Sequence, residues 1–366
     1  MFAYIVRRLL IMPITLFGVT LLIFGFLQTL GPNERAALYV RDIPKNERQL
    51  DAIIRKYGLD DPLPIQYSRW MLGTIDSDTG ERVGGVIRGD LGFSRTGREP
   101  VVDLFKRKAP ISLELTLYSL IPVLGVGIWL GIKAALNHNK LFDQVARVFS
   151  IIGYSFPTFV FGLLMILLFY ALMTRWARTY PWLEPLVLPP GRISDEYLPL
   201  LRSDEWRAVT GMHTVDALIS GRLDVFWDAF RHMILPVITL SYVSWAGILK
   251  ITRGAMLEVI GQDYVTTAHS KGLSNKYVIN KHVRPNAMIP IITIAGGTVA
   301  GLLNGVLVTE VIFNIPGLGA AAVAAAVSLD ALTMLGFALF NGVLFVFTYL
   351  IVDILYAMAD PRIRLG

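Results

Sequence analysis

The chain has 366 residues, 54% of them hydrophobic and only 17% charged, and its mean hydropathy is +0.54. Soluble domains carry roughly a quarter charged residues, so this composition, with several apolar runs near twenty residues, indicates a polytopic membrane protein. The absence of cysteine excludes disulfide, zinc-thiolate and iron–sulfur chemistry, and the net charge of +6 fits the excess of Lys and Arg on the cytoplasmic side of membrane proteins more simply than nucleic-acid binding.

Residues 1–30 open with Arg7 and Arg8 and continue almost wholly apolar from position 9. The apolar core of a cleaved signal peptide is shorter, about 7–15 residues. The reading is an uncleaved first span with its N-terminus inside. Residues 31–108 are polar and form an external segment, in which Leu50, Ile53, Ile54 and Tyr57 fall at helical spacing and Gly58 ends the helix. The basic residues of this segment do not contradict an external location, because the charge rule weakens for loops beyond about 60 residues.

Residues 109–366 hold the membrane core. The second span is expected at about 111–136 and the third at about 148–173, with Lys140 and Arg147 between them on the inside. Gly153-Tyr-Ser155-Phe-Pro157 departs from the Gly-x-Ser-x-Gly hydrolase elbow at its last position, and no strand precedes it, so a proline kink in the third span is the better reading. Residues 174–232 form a second external segment. Trp176, Tyr180 and Trp182 suit the membrane interface, and Pro181, Pro185, Pro189 and Pro190 forbid one continuous helix. His232 is expected at the outer end of the fourth span, hydrogen-bonded or wet.

The fourth span, about 233–249, leads into a polar stretch at 253–286. Lys250, Arg253, Lys271, Lys276, Lys281 and Arg284 make this loop cytoplasmic by the same charge rule. It reads as two short helices: Asp263 caps a helix through Lys271, Gly272 ends it in a left-handed conformation, and Ser274 caps a second helix carrying Tyr277, Val278 and Lys281. Helical spacing puts Tyr264, Thr267, Ala268 and Lys271 on one face. The fifth span, about 287–313, carries Gly297, Gly301 and Gly305 on one face, which permits close contact with another helix, in a partner subunit or in this one. Residues 320–327 are expected as a short external helix and about 332–358 as the sixth span. Asp360, Pro361, Arg362 and Arg364 then end the chain inside.

The polar loop resembles the "EAA" loop of ABC importer permeases, whose pattern is Glu-Ala-Ala, three residues, Gly, nine residues, Ile-x-Leu-Pro. Here Thr266-Thr267-Ala268 is followed by three residues, Gly272, nine residues, then His282-Val-Arg284-Pro285, with Thr replacing Glu and the first Ala, and His and Arg replacing Ile and Leu. The fuller run from Asp263 through Leu273, then His282, Arg284, Asn286 and Ala287, is similar to the dipeptide/oligopeptide branch. So are Gly-Asp-Leu-Gly-Phe-Ser at 89–94, Thr210 to Leu218, Asp228-Ala229, His232 to Pro236, and Pro-Gly-Leu-Gly at 316–319. The likeness is weak near 76–88 and at Asp330-Ala-Leu-Thr-Met.

The resemblance implies an all-α permease fold with about six transmembrane helices, multi-pass in a bacterial or archaeal inner (plasma) membrane, both termini cytoplasmic. It implies a second permease subunit, two cytoplasmic ATPase subunits that bind ATP and Mg, and an external solute-binding protein. It carries ATPase coupling to Asp263, Tyr264, Val265, Thr267, Ala268, Lys271 and Gly272. Short peptides are the expected solute, with oligosaccharide, nickel chelate or glutathione as alternatives.

No Gly-Lys dipeptide occurs, so this chain has no P-loop, and it has no His-Glu-x-x-His. It is read as a transport subunit without its own catalytic or cofactor site. Two other classes remain. A secondary transporter uses charges within its spans, for which Glu114, Glu310 and Asp353 are the candidates, though pairing roles near span ends fit them better. An intramembrane enzyme needs a nucleophile paired with a base, and the spans offer none.

Overall fold

The computed structural model describes residues 2–38, 47–75 and 82–359. The described residues are mostly helical, with two antiparallel hairpins of two-residue strands: Thr74–Ile75 with Arg82–Val83, and Phe93–Ser94 with Glu99–Pro100. Six helices are long and apolar enough to cross a membrane: Leu9–Leu27, Val101–Leu136, Thr158–Ala177, Leu223–Ile260, Asn275–Leu302 and Ala331–Ile354. The polytopic architecture expected from composition and the all-α fold that the resemblance implies are the ones observed. Residues 76–81 and the terminal Asp360, Pro361, Arg362 and Arg364 lie outside the described residues.

Three expected spans are redrawn. The third does not start at 148 with a kink. A separate helix, Leu141–Ser155, ends where Phe156 turns extended (φ −83, ψ 126), and the span begins afresh at Thr158. Proline disfavours helical backbone at the residue before it, so Pro157 breaks the helix here. The fourth span is a 38-residue helix, about 57 Å long at ~1.5 Å per residue, so it extends well beyond a ~30 Å hydrocarbon core. The fifth is interrupted at Val306: one helix covers Arg284–Gly305 and a second Leu307–Ile312.

The chain divides into two compact units. One is built around Pro110–Gly319. Leu115 and Val123 of the second span, Leu235 and Ile248 of the fourth, Leu302 of the fifth, and Phe313 form its main buried cluster. The second and fourth spans approach closely because Gly131 has no side chain: a Cβ there would lie 2.5 Å from Thr252 Cβ. Gly127, one turn earlier, meets Ile248 in the same way.

The other unit comprises Leu10–Ala109 and Ala320–Val346. In it the helix Glu47–Tyr57 turns Leu50, Ile53, Ile54 and Tyr57 toward Ala36 and Leu59, the face that its periodicity predicts. Asp330, almost wholly buried, accepts hydrogen bonds from Ser94 Oγ and Thr96 N, each at 3.0 Å, and from Thr333 Oγ1 at 2.8 Å. Burial pushes its carboxyl up, but these donors hold it below its ordinary value.

Candidate functional site

The polar loop folds around the helix Asp263–Ser270. Its cap is Gln262, in extended backbone, and Asp263 sits one position inside, where its charge faces the positive end of the helix. The expected cap was thus one residue late, and no side chain caps the end. Thr267 Oγ1 donates to Asp263 O at 2.9 Å. Lys271 closes the helix, and Gly272 follows at φ +78 with its N–H on His269 O at 2.9 Å. Nothing lies within 4 Å of where a Gly272 Cβ would be, so glycine serves the backbone conformation alone. Ser274 caps the next helix, Asn275–Val278, accepting from Tyr277 N. That second helix does not stand apart: it runs through a wide π turn at Ile279–Val283 straight into the fifth span.

The loop helix has two faces, and they differ from the expected single one. Val265 (2% exposed) and Ala268 (7%) turn inward, into a cluster with Met256, Val278, Ile279 and Val283. Tyr264 is 43% exposed, and Thr267 and Lys271 are exposed beside it. Ala268 therefore does not share the outward face with Tyr264, Thr267 and Lys271. It seats the helix on its own chain. Below this seat, Asp143 of the helix Leu141–Ser155 is fully buried and holds Arg253 of the fourth span, with Nη2 at 2.8 Å. The Arg253 guanidinium lowers the Asp143 carboxyl to about 2; burial opposes this, and the Asn139 N–H at 2.9 Å and the more distant Arg147 charge assist it.

The glycines of the fifth span separate as well. Gly296, not picked out by the four-residue repeat, meets Val352 of the sixth span: a Cβ there would come within 2.2 Å of the Val352 Cγ2. Gly297 and Gly301 have no heavy atom within 4 Å of the added Cβ position, so close packing within this chain is not their role. The side-chain surroundings of Gly305 lie outside the described residues.

The buried acidic groups are engaged in ordinary pairing. Glu114 takes Arg192 Nη2 at 2.9 Å on one oxygen, and Thr214 N and Oγ1 at 2.8 and 2.7 Å on the other. Glu310 accepts from Ser112 Oγ, whose oxygen also receives the Leu318 N–H at 2.8 Å. His232 is 2% exposed with Nδ1 at 2.9 Å from Asp228 O, so it is buried and hydrogen-bonded. Sequence reasoning missed the Asp143–Arg253 and Glu114–Arg192 pairs, whose partners lie far apart in the chain. The four-residue spacing of Gly127 and Gly131 is the sequence signal of the close approach between the second and fourth spans.

Six helices long and apolar enough to cross a membrane, with a folded loop helix of exposed outer face between the fourth and fifth, are the features of a membrane transport component. Residues 127–365 match the family of the binding-protein-dependent transport system inner membrane component, and residues 1–116 match the corresponding N-terminal family, "Binding-prot-dependent transport system membrane comp, N-term". The chain belongs to this family of inner-membrane transport components. It is 34% identical over 364 residues to the dipeptide transport system permease protein of Escherichia coli (strain K12), covering 100% of this chain and 99% of that protein. It is 36% identical over 370 residues to the di/tripeptide transport system permease protein of Pseudomonas aeruginosa (strain UCBPP-PA14), with coverage of 100% and 99%. Against the dipeptide transport system permease protein of Haemophilus influenzae (strain ATCC 51907 / DSM 11121 / KW20 / Rd) the identity is 32% over 367 residues, with both chains covered in full.

Proposed function

We propose that the chain is one permease subunit of an ATP-driven importer of short peptides. It forms half of the path beside a second permease, receives peptide from an external binding protein, and is moved by two cytoplasmic ATPase subunits. In this reading both termini and the loop helix face the cytoplasm. The reading of the solute draws on the full-length likeness to dipeptide and di/tripeptide permeases. The observation that carries the coupling is the loop helix itself. Val265 and Ala268 fix it to the permease, while Tyr264, Thr267 and Lys271 stay exposed on the opposite side. A helix anchored on one face transmits a push received on the other. ATP-driven closure of the ATPases would displace it and rock the spans between outward-open and inward-open states.

The test is the complex reconstituted in liposomes with the peptide-loaded binding protein outside and ATP inside. The expected result is dipeptide uptake that stops without ATP and is indifferent to a proton gradient. Uptake that persists without the ATPases, driven by protons, would assign the chain to secondary transport instead.

A further inference from the structure

We propose that an open-sided cavity of about 380 Å³, beside Ser244 and Gly247 at the middle of the fourth span, is a station on the solute path that takes the uncharged backbone of a short peptide. This rests on the peptide-import reading above. The volume falls within the ~300–1,000 Å³ of small-molecule sites. Among the described residues its wall includes Tyr154, Thr158, Ser244 and Thr298, each of which carries a hydroxyl, together with Gly247 and Gly301. Among the described residues, no Asp, Glu, Lys, Arg or His lines it.

That chemistry fits a peptide backbone rather than particular side chains. A hydroxyl both donates and accepts, so it can meet either the N–H or the C=O of an amide. Thr298 donates its own proton to Ile294 O at 2.9 Å and keeps lone pairs for an incoming N–H. With no charge among the described wall residues, the charged ends of the peptide find no ion pair with them. Binding is therefore weak, which a passage requires, since a tight site would retain its cargo.

The two glycines give the second line of argument. At Gly131 a side chain is missing because a neighbouring helix fills its place, but at Gly247 and Gly301 a new Cβ would meet no heavy atom within 4 Å. Neither lies at positive φ, so each accepts a side chain without strain. Packing inside this chain does not explain the glycines. The cavity does, because a side chain at either position would fill it.

The experiment uses the complete importer in liposomes, with Gly301→Ala, Gly301→Leu, Gly301→Trp and Gly247→Leu. Uptake of a dipeptide should fall stepwise with side-chain volume, by about tenfold or more for Trp. Assembly and ATP hydrolysis stimulated by the loaded binding protein should survive. In this cysteine-free chain, Ser244→Cys should react with a water-soluble maleimide and be slowed by saturating dipeptide. Unchanged uptake with an unreactive cysteine would mean that lipid covers the cavity. Loss of assembly in Gly301→Leu would mean that a partner permease packs into it. Either result overturns the assignment. Failure of the unsubstituted complex to import any peptide would overturn the peptide reading itself, and is distinguishable because it precedes every substitution.

Discussion

Arg253 on the fourth span donates from Nη2 to the carboxylate of Asp143, 2.8 Å away on the helix Leu141–Ser155, and Asp143 is fully buried. The pair pins that helix to the segment from which the loop helix emerges. Removing one partner of a buried pair leaves the other uncompensated, which costs roughly 3–5 kcal/mol. Asp143→Asn and Arg253→Met should each lower the unfolding temperature of the detergent-solubilised protein. The double variant should lose less than the sum of the two, because the residues share one interaction. Strict additivity would show that the pair contributes nothing jointly.

The same pair predicts a pH dependence. Hydrogen bonding to Arg253 lowers the Asp143 carboxyl from 3.8 to about 2. A depressed carboxylate contributes stability that is complete above its unfolded value, near 4, and is lost as pH falls through about 2. A shift of this size corresponds to about 2–3 kcal/mol. Between pH ~5 and ~2 the parent protein should therefore lose stability more steeply than Asp143→Asn. Equal slopes for the two proteins would remove Asp143 from the acid sensitivity.

Glu114 and Arg192 make a second buried pair, at 2% and 11% side-chain exposure, that fastens the segment after the third span to the second span. Glu114→Gln keeps the shape and removes the charge, stranding Arg192 and weakening the acceptor for Thr214. The expected outcome is faster proteolysis confined to residues 178–222, with the transmembrane helices intact. Cleavage at the parent rate would show that the segment is held by other contacts.

These pairs mark where the sequence stopped being informative. Apolar run length located all six spans, because crossing a ~30 Å hydrocarbon layer demands about twenty apolar residues wherever they fall. It did not locate the helix ends: the fourth span continues through Arg253 to Ile260, and hydropathy carries no record of a helix that outlasts the membrane. Gly272 was legible because a left-handed helix end is a local requirement. The inward turn of Ala268 was not, since spacing defines faces but leaves open which one the chain covers. Glu114 could be flagged as a buried charge, but Arg192 could not be matched to it, since nothing local ties residues so far apart.

Orientation is open to a direct test, because the chain has no native cysteine. Lys276 and Trp182 are both exposed, Trp182 at 72%. In intact cells with a permeable outer layer, Trp182→Cys should label with an impermeant maleimide and Lys276→Cys should not, until the membrane is opened. Labelling of Lys276→Cys from outside would invert the proposed topology.

Gly272 separates backbone strain from crowding. Its φ is +78, and no atom stands within 4 Å of an added Cβ. Gly272→Ala should therefore cost only the left-handed penalty, roughly 1–2 kcal/mol. Gly272→Val, β-branched, should cost more. Capture of peptide by the external binding protein should be untouched in both, while stimulated ATP hydrolysis and uptake fall further in Val than in Ala. Normal coupling in Gly272→Val would show that the turn tolerates another path.

The two faces of the loop helix give the decisive contrast. Ala268, 7% exposed, faces the cluster with Val265 and Met256. Ala268→Arg forces a charge into that apolar seat, so it should loosen the loop and lower the unfolding temperature even in the isolated permease. Tyr264, at 43% exposure, presents an apolar ring with a polar tip and holds little of the fold in place. Tyr264→Ala should leave the unfolding free energy within about 0.5 kcal/mol of the parent, as surface changes usually do. It should nevertheless reduce retention of the ATPase subunits on purification, and with it the stimulation of ATP hydrolysis by loaded binding protein. Lys271→Glu, on the same exposed side, should act in the same direction. Measured together, unfolding and ATPase retention place each variant: Ala268→Arg fails in both, Tyr264→Ala in the second alone. If Tyr264→Ala and Lys271→Glu retain full stimulation, the exposed face of this helix is not where the ATPase pushes.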